Sequence, residues 1–236
     1  MVGARSAAMA FNRVVDARID AANPRTASRE IPAGVVSRVG AVVFTLVSIL
    51  VFLFAAFKLN PMAFKLSPIA LFLVLFYSLT KRFTWATHLF LGAALAIAPL
   101  GGWVAVTGRV DPEPFLLAFA VCAWVAGFDV FYALQDERFD RSHGLGSVPA
   151  RFGVAGALRI ARGLHAVAFI LLVLLHPLLD LSPAYLAGVA VIGGILVYEH
   201  RLVRADDLSR VNRAFFDMNA AISVLYLAAA AAGVWL

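Results

Sequence analysis

Polar positions are sparse in this chain and bunched between long apolar runs. The runs predict membrane-crossing helices near 41–57, 66–80, 86–106, 115–134, 157–178, 183–198 and 214–236. They are long enough to span a bilayer rather than to pack as core helices of a soluble domain. Segment 1–22 mixes apolar and polar residues at helical spacing and predicts an eighth, amphipathic helix. Nothing between these segments reads as a soluble second domain, a low-complexity linker or a repeat of roughly 20–50 residues. The expected fold is all-α: one polytopic membrane domain over 1–236, a bundle of about eight transmembrane helices.

Composition agrees, with 62% hydrophobic and 14% charged residues, against about half and a quarter in ordinary globular domains. The net charge of +6 would suggest a nucleic-acid surface if it were gathered in one patch. Instead Arg25, Arg29, Arg38, Lys81, Arg82, Arg138, Arg141, Arg151 and the arginines of 199–213 fall in or beside alternate loops, while the intervening loops hold only Lys58, Lys65 and Arg109. This asymmetry is the positive-inside bias of a multi-pass cell (inner) membrane protein. It places the basic loops and the acidic helix ends on the cytoplasmic side and gives no reason to expect nucleic acid. The single Cys122 argues against disulfides and against a thiolate metal site. His88, His143, His165, His176 and His200 are scattered, with no pair at ligand spacing to a third partner.

The acids carry the chemistry. A carboxylate at mid-membrane depth costs roughly 2.5–3.5 kcal/mol on insertion scales, so intramembrane acids are functional candidates. On a helix, Asn12, Asp16 and Asp20 share one face, and so do Asp129, Asp136 and Asp140. Hard oxygen donors in small number, with room for phosphates, suit Mg²⁺. The reading is a magnesium-diphosphate site, with one ion held by Asn12, Asp16 and Asp20 and a second by Asp129, Asp136 and Asp140. Basic loops gather on the same side. Arg25 and Arg29 follow the first motif in a turn-rich segment punctuated by Pro24, Pro32 and Gly34, Lys81 lies one turn after Tyr77, and Arg82 follows. Such cations would neutralise diphosphate oxygens.

These residues carry a resemblance. Asn12-x3-Asp16-x3-Asp20 and Asp129-x2-Tyr132-Ala133-x2-Asp136-x3-Asp140 resemble the two signatures of the UbiA superfamily of intramembrane prenyltransferases. The match extends to Asn23-Pro24-Arg25-Thr26, Tyr77-x3-Lys81, Gly146-Ser147 and Phe215-Phe216-x2-Asn219, in order along nearly the whole chain. Segment Asn23–Gly34 is most similar to 4-hydroxybenzoate polyprenyltransferases and related menaquinone-pathway enzymes. The resemblance implies nine transmembrane helices around a central cavity, the first preceding the helix of the first motif. Here only eleven residues precede Asn12, so an N-terminally truncated member is expected.

The activity so implied is transfer of a polyprenyl group from its diphosphate to a small aromatic acceptor in respiratory quinone biosynthesis. Asp16, Asp129, Asp136 and Lys81 are the expected catalytic set, with Lys81, Arg82, Arg25 and Tyr77 on the diphosphate and Tyr132 and Arg25 at the substrates. Arg5, seven residues before Asn12, is expected to face the same cavity and bind substrate or diphosphate. Other members of the superfamily act on heme or chlorophyll precursors, and an inactive relative is a further alternative. A cation-coupled transporter would also place acids in a helix bundle, but no inverted repeat is visible. A CDP-alcohol phosphotransferase would place Gly after its second Asp, whereas Ala21-Ala22-Asn23 follow Asp20.

Overall fold

A computed structural model describes residues 1–235. Its helices are α1 (Val2–Ala22), α2 (Arg38–Leu59), α3 (Pro61–Thr80), α4 (Thr87–Thr107), α5 (Glu113–Ala133), α6 (Glu137–Ser142), α7 (Val148–Leu178), α8 (Pro183–Leu202), α9 (Val211–Arg213) and α10 (Asn219–Trp235). No strand occurs among the described residues, only an isolated bridge between Arg204 and Asp207. Seven helical stretches are long and apolar enough to cross a membrane, in the positions the hydropathy pattern predicts. The eighth helix, α1, carries the first acidic motif and packs on α2 and α3.

Among the departures from the sequence expectation, which include the start of α3 at Pro61 rather than 66, two have a clear local reason. The fifth membrane-crossing helix, α7, begins at Val148, not 157, because Ser147 caps it by accepting from Ala150 N–H at 3.2 Å and Pro149 suits its first turn. The chain then kinks at Gly153, whose φ of +69° is open to glycine at no steric cost. The second acidic motif does not lie on one continuous helix. After Ala133 the backbone tightens into a 3-10 turn over Leu134–Asp136 before α6 resumes, which breaks the strict 3.6-residue register of the three acids.

Helix α5 is central and packs most extensively on α4 and α7. Its approach to α4 depends on Gly92, where a Cβ would sit 2.3 Å from the Cys122 carbonyl oxygen; α8 and α10 meet similarly at Gly188 and Ala229. Small residues at crossings let backbones come close where the hydrophobic effect supplies little association energy. Two buried apolar clusters fill the interior, one beside the second acidic motif about Phe131, Val148 and Leu202, the other about Leu175, Tyr185 and Ile192. Between them His165 Nδ1 lies 3.1 Å from His200 Nε2 and 3.7 Å from Glu199 Oε2. Those histidines are thus not scattered, since tertiary packing joins residues 35 positions apart. The outward faces of α2 and its neighbours expose large apolar side chains such as Val39, Leu50 and Phe54, as a lipid-facing surface requires.

Candidate functional site

The acid-bearing ends of α1 and α5, the ends of α3 and α6 and the starts of α4 and α7 enclose a polar cavity of about 250 Å³. Asn12, Asp16, Asp20, Arg25, Tyr77, Lys81, Asp129, Tyr132, Asp136 and Asp140 all line it. The six expected metal-binding positions are therefore brought together, including the three that the 3-10 turn separates from a regular helix face. The turn re-aims Asp136 rather than removing it, because the chain breaks at the cavity wall itself.

On α1, Asp16 is 2 % exposed and saturated. Its Oδ2 accepts from the Asn12 amide at 3.0 Å and pairs with Lys81 Nζ at 2.7 Å, while Oδ1 accepts from Arg82 at 2.8 Å. One turn later, Asp20 Oδ1 accepts from Arg29 at 2.7 Å, and its buried Oδ2 has no partner among the described residues. Pro24, lacking an N–H, ends the helix, and Asn23 turns the chain by accepting from the Arg25 amide at 3.0 Å. Thr26 Oγ donates back to the Asp20 carbonyl at 3.1 Å. The resulting loop reaches across the cavity to the second motif. Asn23 donates to Asp136 Oδ1 at 2.8 Å; Arg25 donates from Nε to the same oxygen at 2.8 Å, from one terminal nitrogen to Asp136 Oδ2, and from the other to the Tyr132 hydroxyl at 2.8 Å. Burial works against the charge on Arg25, but its hydrogen bond and ion pair with Asp136 outweigh that and raise it above the usual arginine value. It stays a cation at any working pH.

Tyr132 is held from its other side by Phe215, at 4.3 Å between ring centroids, and Phe215 in turn packs on Phe128 at 5.4 Å. Phe215 owes its place to a π-helical segment, Ala214–Met218, whose loosened carbonyls are met by Asn219, at 2.7 Å to that of Phe215. The Phe215-Phe216-x2-Asn219 motif is thus an aromatic wall with its own brace.

Two expected residues fall elsewhere. Arg5 shares the azimuth of Asn12 but lies about 10 Å along the axis at 1.5 Å per residue; it is exposed and outside the cavity lining. Arg82 is also not a lining residue. Its guanidinium is spent on the Ser78 and Val15 carbonyls and on Asp16, each at 2.8 Å, so it fastens α1 to the end of α3. One ionisable lining residue was given no role by the sequence reading. His88, 3 % exposed in the first turn of α4, sits 2.6 Å from Asp129 Oδ2 through Nδ1. An ionisable residue directly after the basic loop, at a membrane-helix end, was the available signal.

The donor set is hard oxygen throughout, which suits Mg²⁺, yet no three His, Cys, Asp or Glu side chains among the described residues converge as a ready cage. The two expected ligand triads line the cavity without closing, since fixed donors of the chain already hold most of these oxygens. That pattern fits an ion taken by one or two carboxylates together with substrate phosphates, the usual way magnesium binds.

The architecture and the site together define a class. A family model described as the UbiA prenyltransferase family matches residues 1–232, and the chain belongs to that family, as a multi-pass integral membrane protein. Its similarities to individual proteins are narrower. A 4-hydroxybenzoate octaprenyltransferase of Thiobacillus denitrificans is 36% identical over 212 residues, covering 89% of this chain and 72% of that one. One from Vibrio atlanticus is 30% identical over 215 residues, covering 91% and 75%. Among solved structures, the apo form of a UbiA homolog from Aeropyrum pernix K1 superposes with a TM-score of 0.90 at 34% identity, covering 97% of this chain and 85% of that one. A digeranylgeranylglyceryl phosphate synthase shares the fold, with a TM-score of 0.71 at 19% identity over 98% and 81%.

Proposed function

We propose that this chain transfers a polyprenyl group from an allylic diphosphate to 4-hydroxybenzoate or a closely related aromatic carboxylate, in respiratory quinone biosynthesis, with its site on the cytoplasmic side of the inner membrane. The observation that carries the reading is the single cavity where the two acidic motifs meet Lys81 and Arg25. The names of the similar relatives supply the acceptor class.

Departure of an allylic diphosphate builds negative charge on oxygen and positive charge on the prenyl C1. Bound Mg²⁺, held by carboxylates of Asp16, Asp20, Asp129, Asp136 and Asp140 with Asn12, would act as a Lewis acid on the leaving diphosphate. Lys81 is a second fixed charge for those oxygens, already oriented by Asp16. Arg25 has five N–H groups, of which three are donated to Asp136 and Tyr132, leaving two for a phosphate or carboxylate oxygen. Tyr77 and Tyr132 line the cavity, Tyr132 backed by Phe215 and Phe128, and these aromatic groups would stabilise the allylic cation and exclude water. The acceptor ring then attacks through the carbon ortho to its hydroxyl and loses its proton.

The test is mass-spectrometric product analysis with geranyl diphosphate and a panel of acceptors. Prenylated 4-hydroxybenzoate is the expected product. Transfer only to heme, a chlorophyllide or homogentisate would overturn the acceptor assignment and leave the diphosphate chemistry standing; no transfer to any acceptor would overturn both.

A further inference from the structure

Position and protonation of His88 follow from its two neighbours. Nε2 receives the backbone N–H of Val148 at 3.1 Å. An amide can only donate, so Nε2 must present a lone pair. Nδ1 faces Asp129 Oδ2 at 2.6 Å, and a carboxylate can only accept. The ring proton therefore belongs on Nδ1, the tautomer that neutral imidazole adopts less readily in water, fixed here by the bond the other nitrogen makes.

The location makes this more than a local contact. Val148 opens α7, directly after the Gly146-Ser147 loop. Gly146 N–H donates to the Lys81 carbonyl at 2.6 Å, and a Cβ on Gly146 would lie 2.1 Å from the Thr84 carbonyl oxygen, so this loop is pressed against the segment that carries Lys81. Lys81 Nζ in turn pairs with Asp16. The path Asp129–His88–Val148–Gly146–Lys81–Asp16 joins the second acidic motif to the first without crossing the cavity.

We infer that His88 is a positioning residue which, as its Nδ1–H tautomer, commits Asp129 Oδ2 and leaves Oδ1 as the oxygen Asp129 offers to a cavity ligand. The consequence for magnesium rests on the prenyl-transfer reading above; the tautomer does not. Groups that orient a ligating carboxylate typically change metal affinity by roughly 10–100-fold when removed.

Two variants separate the nitrogens. His88→Asn keeps a donor near the Nδ1 position and loses the acceptor for Val148; His88→Gln keeps a polar atom near Nε2 and loses the donor to Asp129. The full chain in detergent, selectively ¹⁵N-labelled at histidine, should show an imidazole protonated at Nδ1 and bare at Nε2 whose signal vanishes in His88→Asn. A His88 signal with its proton on Nε2 would overturn the inference. Thermal stabilisation by MgCl₂ with inorganic diphosphate should then need roughly 10–100-fold more magnesium in His88→Gln but only a few-fold more in His88→Asn. Equal magnesium responses in the two variants would also overturn it. If the unaltered protein shows the Nδ1–H signal and no magnesium response at all, the metal reading fails and the tautomeric lock stands.

Discussion

Asp16 in the first motif is 2 % exposed and takes Asn12, Lys81 and Arg82, whereas the Asp129 side chain in the second is 21 % exposed and takes one imidazole. Asp20 and Asp136 differ in the same sense. The first is paired with Arg29 inside its own helix-loop unit, the second with Asn23 and Arg25 delivered from across the cavity. The first motif is thus a buried electrostatic cluster that holds α1 to α3, and the second is a more open one that the loop after α1 must complete. Two acidic motifs on one cavity do different mechanical work, because the first also meets the cation-rich end of α3 and the second is reached by cations only through the loop after α1.

The contrast is sharpest in the acid deletions. Asp16→Ala and Asp136→Ala should both abolish prenyl transfer while still inserting, but Asp16→Ala should be the more destabilised. It removes the acceptor of three contacts at a position only 2% exposed and should cost about 2–3 kcal/mol. Asp136 is itself 15% exposed, so Asp136→Ala should cost about 1–2 kcal/mol. Activity and thermal unfolding in detergent measure both. Near-normal turnover in either variant breaks the site assignment, and equal stability losses break the contrast.

Next in size are the cations. Lys81→Ala should raise the KM for prenyl diphosphate about tenfold or more and lower turnover, with little change in the acceptor KM, as expected where about 1.4 kcal/mol of charge stabilisation is lost. Arg25→Lys should damage turnover comparably, because lysine cannot reproduce the two-pronged contact with Asp136. It should also speed limited proteolysis in 24–36, a change that Lys81→Ala should not produce. Matching proteolysis rates in the two variants would remove the bridging role given to Arg25.

The smallest effect belongs to the loop's outer tie, Glu30 to Arg13 at 3.1 Å. The Glu30 carboxyl is held below its ordinary 4.5 by its own backbone amide first, and then by Arg13 and Arg29 against a small burial penalty. A depressed folded value means the contribution is present above about pH 4.5 and is lost as pH falls through the lowered value. Since the side chain is 57% exposed, Glu30→Gln should cost about 0.5 kcal/mol at most at neutral pH. The difference from the unaltered protein should close on acidification, and a gap that widens below pH 4 would reverse the assignment.

The linear pattern determined the number and order of the apolar spans and most of their bounds (the start of α7 excepted), the amphipathic nature of α1, the two acidic motifs and the cations that follow them, because each is a statement about neighbours in sequence: hydropathy over a window, periodicity on a helix, a proline that ends one. The 3-10 turn at Leu134–Asp136, the π segment that seats Phe215, the use of Arg82 as a fastener and the exclusion of Arg5 came only with the tertiary structure. His88 shows why. Nothing within ten residues of it names a partner, and its role is set by Asp129 and Val148, 41 and 60 positions away, which meet it only because α4 and α7 both begin where α5 passes. Local chemistry is encoded in spacing; which oxygen of Asp129 stays free is decided by how three helix ends pack.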